Sequence, residues 1–131
     1  MLEVQIFTLY PDLYPGLLDV GIYKKAKEKQ KWSLKIVDIR DYAFDDNRTV
    51  DDTPFGGGSG MLLKPDVVAS ALDKNIKGKE KIIYLSPKGK RLDQKEVKYL
   101  SKLNKINILC GHFEGIDQRL LETRNIEEYS I

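Results

Sequence analysis

The chain of 131 residues has the length of one ordinary domain, and its formal net charge is only +2. Apolar residues make up 41% of the sequence and charged residues 32%, which is the composition of a folded domain and excludes global disorder. A single cysteine, Cys110, excludes an intrachain disulfide and a multi-cysteine zinc site, so we expect no metal centre.

The first half of the chain alternates between strand and helix patterns. The predicted elements are a strand over 4–10 that Pro11 ends, an amphipathic helix over about 17–29, a strand over 33–40, a long loop over 41–63 and a helix over 64–74. The apolar face of the first helix would consist of Leu17, Leu18, Ile22 and Ala26. Loops as long as 41–63 are uncommon in compact domains and usually functional, which makes this segment a candidate site.

The second half continues the alternation. The predicted elements are a strand over 81–86 with a PKGKR turn after it, a helix over 93–103, a strand over 106–110, a GHFEG turn, a helix over 116–124 and a strand at EEYSI. Asp93 and Glu96 have the spacing of a capping box. Strands separated by helices need crossover connections, so the fold class is α/β, with a mostly parallel sheet and helices on both faces.

Three glycine-containing segments follow predicted strands: RDYAFDDNRTVDDTPFGGGSGM, SPKGKR and CGHFEGID. Ligands of open parallel sheets bind outside the carboxyl ends of the strands, so these segments predict a pocket at that edge. Neither a Walker A loop nor a dinucleotide fingerprint is present, which disfavours nucleoside triphosphates and NAD. Residues 56–60 could alternatively be a flexible tether, but the charges around them, including Arg48, fit a tether poorly.

Two carboxylates in the CGHFEGID segment have different interpretations. Glu114 lies between two glycines, where a carboxylate can meet ribose hydroxyls or a cationic ligand. Asp117 begins the next helix and is either a helix-start carboxylate or a ligand contact. The lysine clusters at 24–31 and 88–91 are either solvated faces or phosphate contacts.

These segments, in this order, resemble the bacterial tRNA (guanine-N1)-methyltransferase family, which belongs to the trefoil-knotted SPOUT superfamily. The matching stretches span nearly the whole chain: IFTLYPDLY, IRDYAFDDNRTVDDTPFGGGSGMLLKP, IYLSPKGKRLDQ, ILCGHFEGIDQR and EEYSI. The resemblance implies that S-adenosylmethionine (S-adenosyl-L-methionine) donates a methyl group to N1 of the guanosine immediately 3′ of the tRNA anticodon. It also implies a homodimer with active sites across the interface, and residues 1–131 as the cofactor-binding N-terminal domain.

The resemblance also implies roles for individual residues. The cofactor pocket would take Tyr84, Leu85, Ser86, Pro87, Gly111, His112, Glu114, Gly115, Ser130 and Ile131. The surface for the flipped guanosine and its neighbours would take Arg48, Asp51, Gly58 and Gly60. Glycines let RNA approach closely, and an arginine can meet phosphate.

The chain departs from the family pattern at two places. Phe113 stands where the family turn usually has tyrosine, so any hydrogen bond of that hydroxyl is lost. The family continues beyond the position of Ile131 into a Gly-Asp-Tyr segment that completes the knot, and then into a helical tRNA-binding domain with the aspartate that acts as general base. The 131 residues alone would therefore have an incomplete knot and no catalytic residue, and we expect them to be inactive.

Two other functions remain open at this point, and neither changes the expected location. The chain could be a non-enzymatic RNA-binding module, or a different α/β domain that binds flavin or a nucleotide. Fold class alone does not separate these readings. No apolar stretch approaches the length of a membrane span, and the N-terminus lacks the basic region of a signal peptide, so we expect a cytoplasmic protein.

Overall fold

The computed structural model describes residues 1–52, 62–111 and 116–131. A five-stranded sheet forms its centre, with strands β1 (Leu2–Thr8), β2 (Trp32–Asp38), β5 (Lys81–Arg91), β6 (Lys105–Leu109) and β7 (Glu127–Ser130). The strand order is β2-β1-β6-β5-β7, and every neighbouring pair is parallel. Short strands β3 (Asp51–Asp52) and β4 (Leu62–Leu63) form a separate antiparallel ribbon.

Helices cover both faces of the sheet, as predicted. The α-helices are α1 (Gly21–Glu28), α2 (Pro65–Asn75), α3 (Gln94–Ser101) and α4 (Gln118–Thr123), and 3-10 turns span Pro11–Leu13, Gly16–Asp19 and Ile39–Tyr42. Helices α2 and α4 bury their apolar side chains with Phe7 and Leu109 on one face. Helix α3 contributes Leu100 to a smaller cluster on the other face, which also contains Ile83 and Tyr129. The α/β architecture with a parallel sheet is confirmed.

Strand β6 is the central strand, which confirms the prediction from the run INILC. Its polar side chain in the middle of the strand, Asn107, is fully buried and has hydrogen-bond partners at both of its amide atoms. Asn107 Nδ2 donates to Glu80 Oε1 and to the Lys81 carbonyl, both at 3.1 Å, and Gln5 Nε2 donates to Asn107 Oδ1 at 2.8 Å. These bonds join the neighbouring strands β1, β6 and β5. They also satisfy the buried amide group, which would otherwise destabilise the core.

The predicted turn PKGKR is wrong in its second half, because β5 continues to Arg91 and its last two residues, Lys90 and Arg91, are paired with β7. Its second half has a partner that a local reading of the sequence cannot supply. Lys90 lies opposite Tyr129 and Arg91 lies opposite Ser130, so the last strand of the chain holds this segment extended. Two residues of the predicted loop 41–63, Val50 and Leu63, are buried in the core.

The apolar face predicted for the first helix is not buried in the described part of the chain. Leu17 is 83% exposed and Ile22 is 74% exposed. Leu17 lies in the 3-10 turn Gly16–Asp19 and Ile22 lies in α1, and the extended residue Val20 separates the two elements. The amphipathic pattern predicts a helix in this region, and α1 is present, but the pattern does not specify what buries the apolar side chains.

The capping box at the start of α3 is half formed. Asp93 accepts a hydrogen bond from the Glu96 backbone N–H at 2.9 Å, as predicted. The Glu96 carboxylate instead accepts from Lys90 Nζ at 2.6 Å and from the Tyr129 hydroxyl at 3.1 Å. A charged donor forms a stronger hydrogen bond than a backbone amide, so the Glu96 carboxylate binds the lysine instead of the backbone N–H of Asp93.

Candidate functional site

The carboxyl edge of β6, β5 and β7 holds the most unusual backbone arrangement in the described residues. Leu85 and Lys90 both lie opposite Tyr129, so the four residues between them leave the ladder. Beyond this excursion the two strands pair again, and the Leu92 N–H donates to the Ser130 carbonyl at 2.7 Å. The segment SPKG is therefore a loop that projects from within a strand and is fixed at both of its ends.

Gly89 ends this projecting loop and touches the backbone of β7. A Cβ atom at Gly89 would lie 2.5 Å from the Tyr129 nitrogen and 2.6 Å from the Glu128 carbonyl carbon. Real Cβ atoms essentially never approach backbone so closely, so only glycine fits here. This close approach sets the distance between the loop and the last strand.

A second close approach joins the loop after β6 to strand β5. A Cβ atom at Gly111 would lie 2.5 Å from Cε1 of the Tyr84 ring and 2.7 Å from its hydroxyl oxygen. Tyr84 lies opposite Leu109, the last residue of β6, so the chain turns directly over the tyrosine ring after that residue. Burial, with a smaller effect from Glu128, raises the pKa of the Tyr84 hydroxyl, which is therefore neutral at pH 7.

A chain of alternating charges fixes β7 from the α3 side. The buried Tyr129 hydroxyl lies 2.9 Å from Glu127 and 3.1 Å from Glu96, Lys81 pairs with Glu127, and Lys90 pairs with Glu96. The phenol has one proton and donates to one carboxylate at a time, so the two lysines are needed to neutralise the pair. The lysines lower the pKa of both carboxyl groups, while burial, followed by the two carboxylates, raises that of Tyr129.

The loop after β1 reaches the same edge from the other side of β6. The Tyr14 hydroxyl lies 3.5 Å from Cys110 Sγ, and this contact, together with burial, raises the pKa of Tyr14 to about 12. The 3-10 turn before Tyr14 lines a hollow of about 450 Å³ with Leu9, Tyr10, Pro11, Asp12 and Leu13. Cys110 is half-buried, and its contact with Tyr14 joins the loop after β6 to the loop after β1.

The loop after β2 emerges at the far side of the sheet. Arg48 Nη2 lies 2.7 Å from Asp41 and 3.3 Å from Asp38, so its guanidinium already has two carboxylate partners although the side chain is 50% exposed. Asp51 lies in the ribbon, opposite Leu63. Strand β2 lies three strand positions from β5, about 14 Å at the usual strand spacing, so this loop and the β5 loop are separate parts of one edge.

The structure brings part of the predicted set together. Strand pairing and the two glycine contacts place Tyr84, Leu85, Ser86, Pro87, Gly111, Ser130 and Ile131 on three adjacent strand ends. His112, Glu114, Gly115, Gly58 and Gly60 lie outside the described residues. Asp117 caps α4 by accepting from the Arg119 N–H at 2.8 Å, which is the structural role considered for it.

Sequence reasoning did not single out Gly89, Glu96 or Tyr129 as parts of this edge. For Tyr129 the sequence held one signal. Residues two apart in a strand share a face, so Glu127 and Tyr129 could be predicted to lie side by side. For Gly89 the sequence offered a glycine in a basic segment, which is also what an ordinary turn contains. The pairing of β7 with the second half of β5 is a long-range contact that no local sequence pattern predicts.

Apolar side chains and main-chain groups meet at this edge. Leu85 is 45% exposed and Ile131 is 94% exposed, so apolar side chains are available next to the projecting loop. Gly111 is exposed and carries no side chain, so its main-chain groups are accessible. Small-molecule sites combine apolar walls with a few main-chain donors and acceptors. The fold is thus that of a parallel α/β domain whose glycine-containing loops gather at the carboxyl ends of its strands.

Comparison with known proteins assigns the family. The model of the family described as tRNA (Guanine-1)-methyltransferase TrmD matches residues 2–131. A relative from Pelagibacter ubique is 61% identical over all of this chain, and relatives from Agrobacterium fabrum and Ehrlichia canis are 48% and 43% identical over 98% and 99% of it. All three are named tRNA (guanine-N(1)-)-methyltransferase. The chain belongs to the tRNA (guanine-1)-methyltransferase family.

The matched region is only part of each relative. The chain spans 58% of the Pelagibacter ubique protein and 56% of each of the other two. No described helix is long and apolar enough to cross a membrane.

Proposed function

We propose that this chain is the cofactor-binding part of an enzyme that methylates N1 of the guanosine immediately 3′ of the anticodon in tRNA. Family membership supports the reaction, and the relatives carry its name. The proposed location of the cofactor site is supported by two close approaches, at Gly89 and at Gly111. They hold the adjacent ends of β5, β6 and β7 against one another. The enzyme would act in the cytoplasm, where its tRNA substrate is available.

The cofactor would lie against the projecting loop of β5. We assign Leu85, Ser86 and Pro87 to one wall, Gly111 with Tyr84 beneath it to the second, and Ser130 with Ile131 to the third. His112, Glu114 and Gly115 complete the proposal from outside the described residues. When bound, S-adenosylmethionine supplies an electrophilic methyl group on a sulfonium centre.

The guanosine side would be the loop after β2, with Arg48, Asp51, Gly58 and Gly60. The two carboxylates beside Arg48 hold its guanidinium in one place while half of the side chain stays exposed. An arginine that is positioned in advance loses less side-chain freedom when it meets a phosphate. Because β2 lies at the far side of the sheet from β5, we propose that the two sides of one active site come from two copies of the chain in a homodimer.

The exposed apolar segment around α1 supports a homodimer. Leu13, Leu17, Val20 and Ile22 are all more than half exposed within ten residues of sequence. A patch of this kind marks an interaction site more often than free surface. A second copy of the chain would bury it.

Proton removal sets the chemical requirement for turnover. N1 of guanine carries a proton at neutral pH, so its attack on the methyl group needs a positioned base. The rest of catalysis is the alignment of N1 with the methyl group, which a rigid pocket provides. We propose that the base is an aspartate outside residues 1–131, in the part of the relatives' length that this chain does not cover.

Methyl transfer to unmodified tRNA tests the proposed function. The full-length protein, incubated with S-adenosylmethionine labelled in its methyl group, is expected to label one guanosine per tRNA as 1-methylguanosine. A tRNA with adenosine at that position is the matched control and should stay unlabelled. Residues 1–131 alone should give at least about a thousandfold less product, because general-base catalysis alone accounts for about that factor.

Two results would contradict the proposal. Label in another nucleoside would refute the assigned reaction. Turnover by residues 1–131 close to that of the full-length protein would refute the proposed location of the base.

A further inference from the structure

The positive charge of the chain is concentrated in one segment. Residues 77–105 contain ten lysine and arginine residues against three acidic residues, a net charge of +7. The whole chain carries +2, so the remaining 102 residues together carry −5. A domain with such a divided charge presents one basic surface, which is the electrostatic footprint of a nucleic-acid partner.

Helix α3 displays much of this charge on one stripe. Lys95, Lys98 and Lys102 are exposed, and their spacing of three and four residues places them along one side of the helix and its last turn. Tyr99 lies in the same stripe with 51% of its surface exposed. The stripe is about 10 Å long, so it can contact more than one phosphate of a chain.

Two hollows beside α3 extend the basic surface toward the sheet. One, of about 420 Å³, is lined by Lys79, Glu80, Lys81, Ile82, Tyr99, Leu103, Asn104, Lys105, Asn125 and Glu127. The other, of about 350 Å³, is lined by Lys81, Lys90, Lys95, Glu96, Tyr99, Glu127 and Tyr129. They share Lys81 and Tyr99, and Lys81 Nζ lies 5.3 Å from the centre of the Tyr99 ring. Lysines alternating with an exposed aromatic ring are typical of RNA-binding surfaces.

The pairing of charges in these hollows argues against a small anion. Glu80 is paired with Lys105, Glu96 with Lys90, and Glu127 with Lys81, so the floor of the hollows is nearly neutral. The excess positive charge lies on the exposed residues around them. This distribution suits an extended polyanion that spans the surface, rather than a single phosphate held in a pocket.

We infer that the α3 stripe, defined as Lys95, Lys98, Tyr99 and Lys102, binds the phosphate backbone of the RNA substrate. The inference rests on the proposed function for the identity of the RNA. Beyond the stripe, exposed Lys88 adds positive charge in the projecting loop of β5. RNA that contacts both the stripe and Lys88 reaches the edge where methyl transfer is proposed.

Neutralising the stripe tests the inference. In Lys95→Gln/Lys98→Gln/Lys102→Gln, the affinity for unmodified tRNA, measured by fluorescence anisotropy in the full-length protein, is expected to fall at least tenfold at low salt. The plot of log K against log salt concentration should become shallower by about two, because three fewer phosphates are neutralised. Glutamine keeps the helix propensity close to that of lysine.

The matched control removes positive charge from exposed lysines outside residues 77–105 and outside α1. Lys35 and Lys74 are exposed in β2 and α2, and Lys35→Gln/Lys74→Gln should change tRNA affinity less than twofold, against the larger loss expected from the corresponding double variant Lys95→Gln/Lys98→Gln. Equal losses in the two double variants would show a general charge effect and overturn the inference, as would no loss in the α3 variant. Loss of binding to anionic lipid vesicles with tRNA binding unchanged would also overturn it.

Kinetics separate this inference from the proposed function. The α3 variant should raise the KM for tRNA and leave kcat and the Kd of S-adenosylmethionine unchanged. If the wild-type protein transfers no methyl group but the α3 variant still weakens tRNA binding, the proposed function fails and the RNA surface stands. If methyl transfer occurs with an unchanged KM for tRNA in the variant, the RNA surface fails and the proposed function stands.

Discussion

Replacing Gly89 with alanine is expected to lower the free energy of unfolding by about 3 kcal/mol, the upper part of the usual range for overpacking. The new methyl group would lie 2.5 Å from the Tyr129 nitrogen and 2.7 Å from its carbonyl carbon. Backbone atoms of a paired strand cannot move aside as a flexible side chain can, so β7 must separate from the second half of β5. Urea unfolding followed by circular dichroism measures the loss.

The control for this variant is the neighbouring residue. Lys88 is exposed, so Lys88→Ala should change the free energy of unfolding by less than about 0.5 kcal/mol. Hydrogen exchange should also accelerate first at the Leu92 amide, whose acceptor is the Ser130 carbonyl. A Gly89→Ala protein with wild-type stability and wild-type hydrogen exchange would show that β7 does not pack against Gly89 as described.

Replacing Gly111 with alanine is expected to weaken S-adenosylmethionine binding by about thirtyfold, which corresponds to about 2 kcal/mol. The added methyl group would lie 2.5 Å from the Tyr84 ring, so either the ring or the loop after β6 must move. Both belong to the proposed cofactor cleft. Because Gly111 is exposed, the stability of the fold should fall much less than the affinity.

Titration calorimetry measures this effect, with Cys110→Ala as the control. That variant removes the 3.5 Å contact with the Tyr14 hydroxyl one residue earlier but adds no atom against Tyr84. Its affinity for the cofactor should stay within about threefold of wild type. Equal losses in both variants would mean that the loop is merely sensitive to change, and an unchanged affinity in Gly111→Ala would place the cofactor elsewhere.

Much of the fold could be predicted from the sequence because its elements carry local signals. The run INILC predicts a doubly covered central strand, and β6 occupies that position. Pro65 marks the first turn of α2, and the side chains Val67, Val68, Ala71 and Leu72 are buried as a face, as their spacing predicts. Period and capping chemistry are local, so one sequence is enough to read them.

The failures arise where a distant segment decides the structure. Residues 87–91 have the composition of a turn, yet Lys90 and Arg91 pair with the end of the chain and complete β5. Leu17 and Ile22 follow a core-facing pattern, yet the described chain leaves them exposed. A sequence pattern reports that a surface prefers burial and does not identify what buries it.

The candidate site was predictable in outline for the same reason. A parallel sheet gathers its loops at one edge, so three glycine-containing loops predict one cleft before any contact is known. The sequence could not show that the β2 loop lies three strands from β5, because strand order is not local information. Nor could it show that Arg48 is already paired with Asp38 and Asp41.

We propose that the carboxyl ends of β5, β6 and β7 form the binding site of the methyl donor. Titration of S-adenosylmethionine into the isotopically labelled protein, followed by amide NMR shifts, tests this location. We expect the largest shifts at Leu85, Ser86, Gly89, Gly111 and Ser130. Shifts confined to the opposite edge of the sheet, around Lys79 and Lys105, would contradict it.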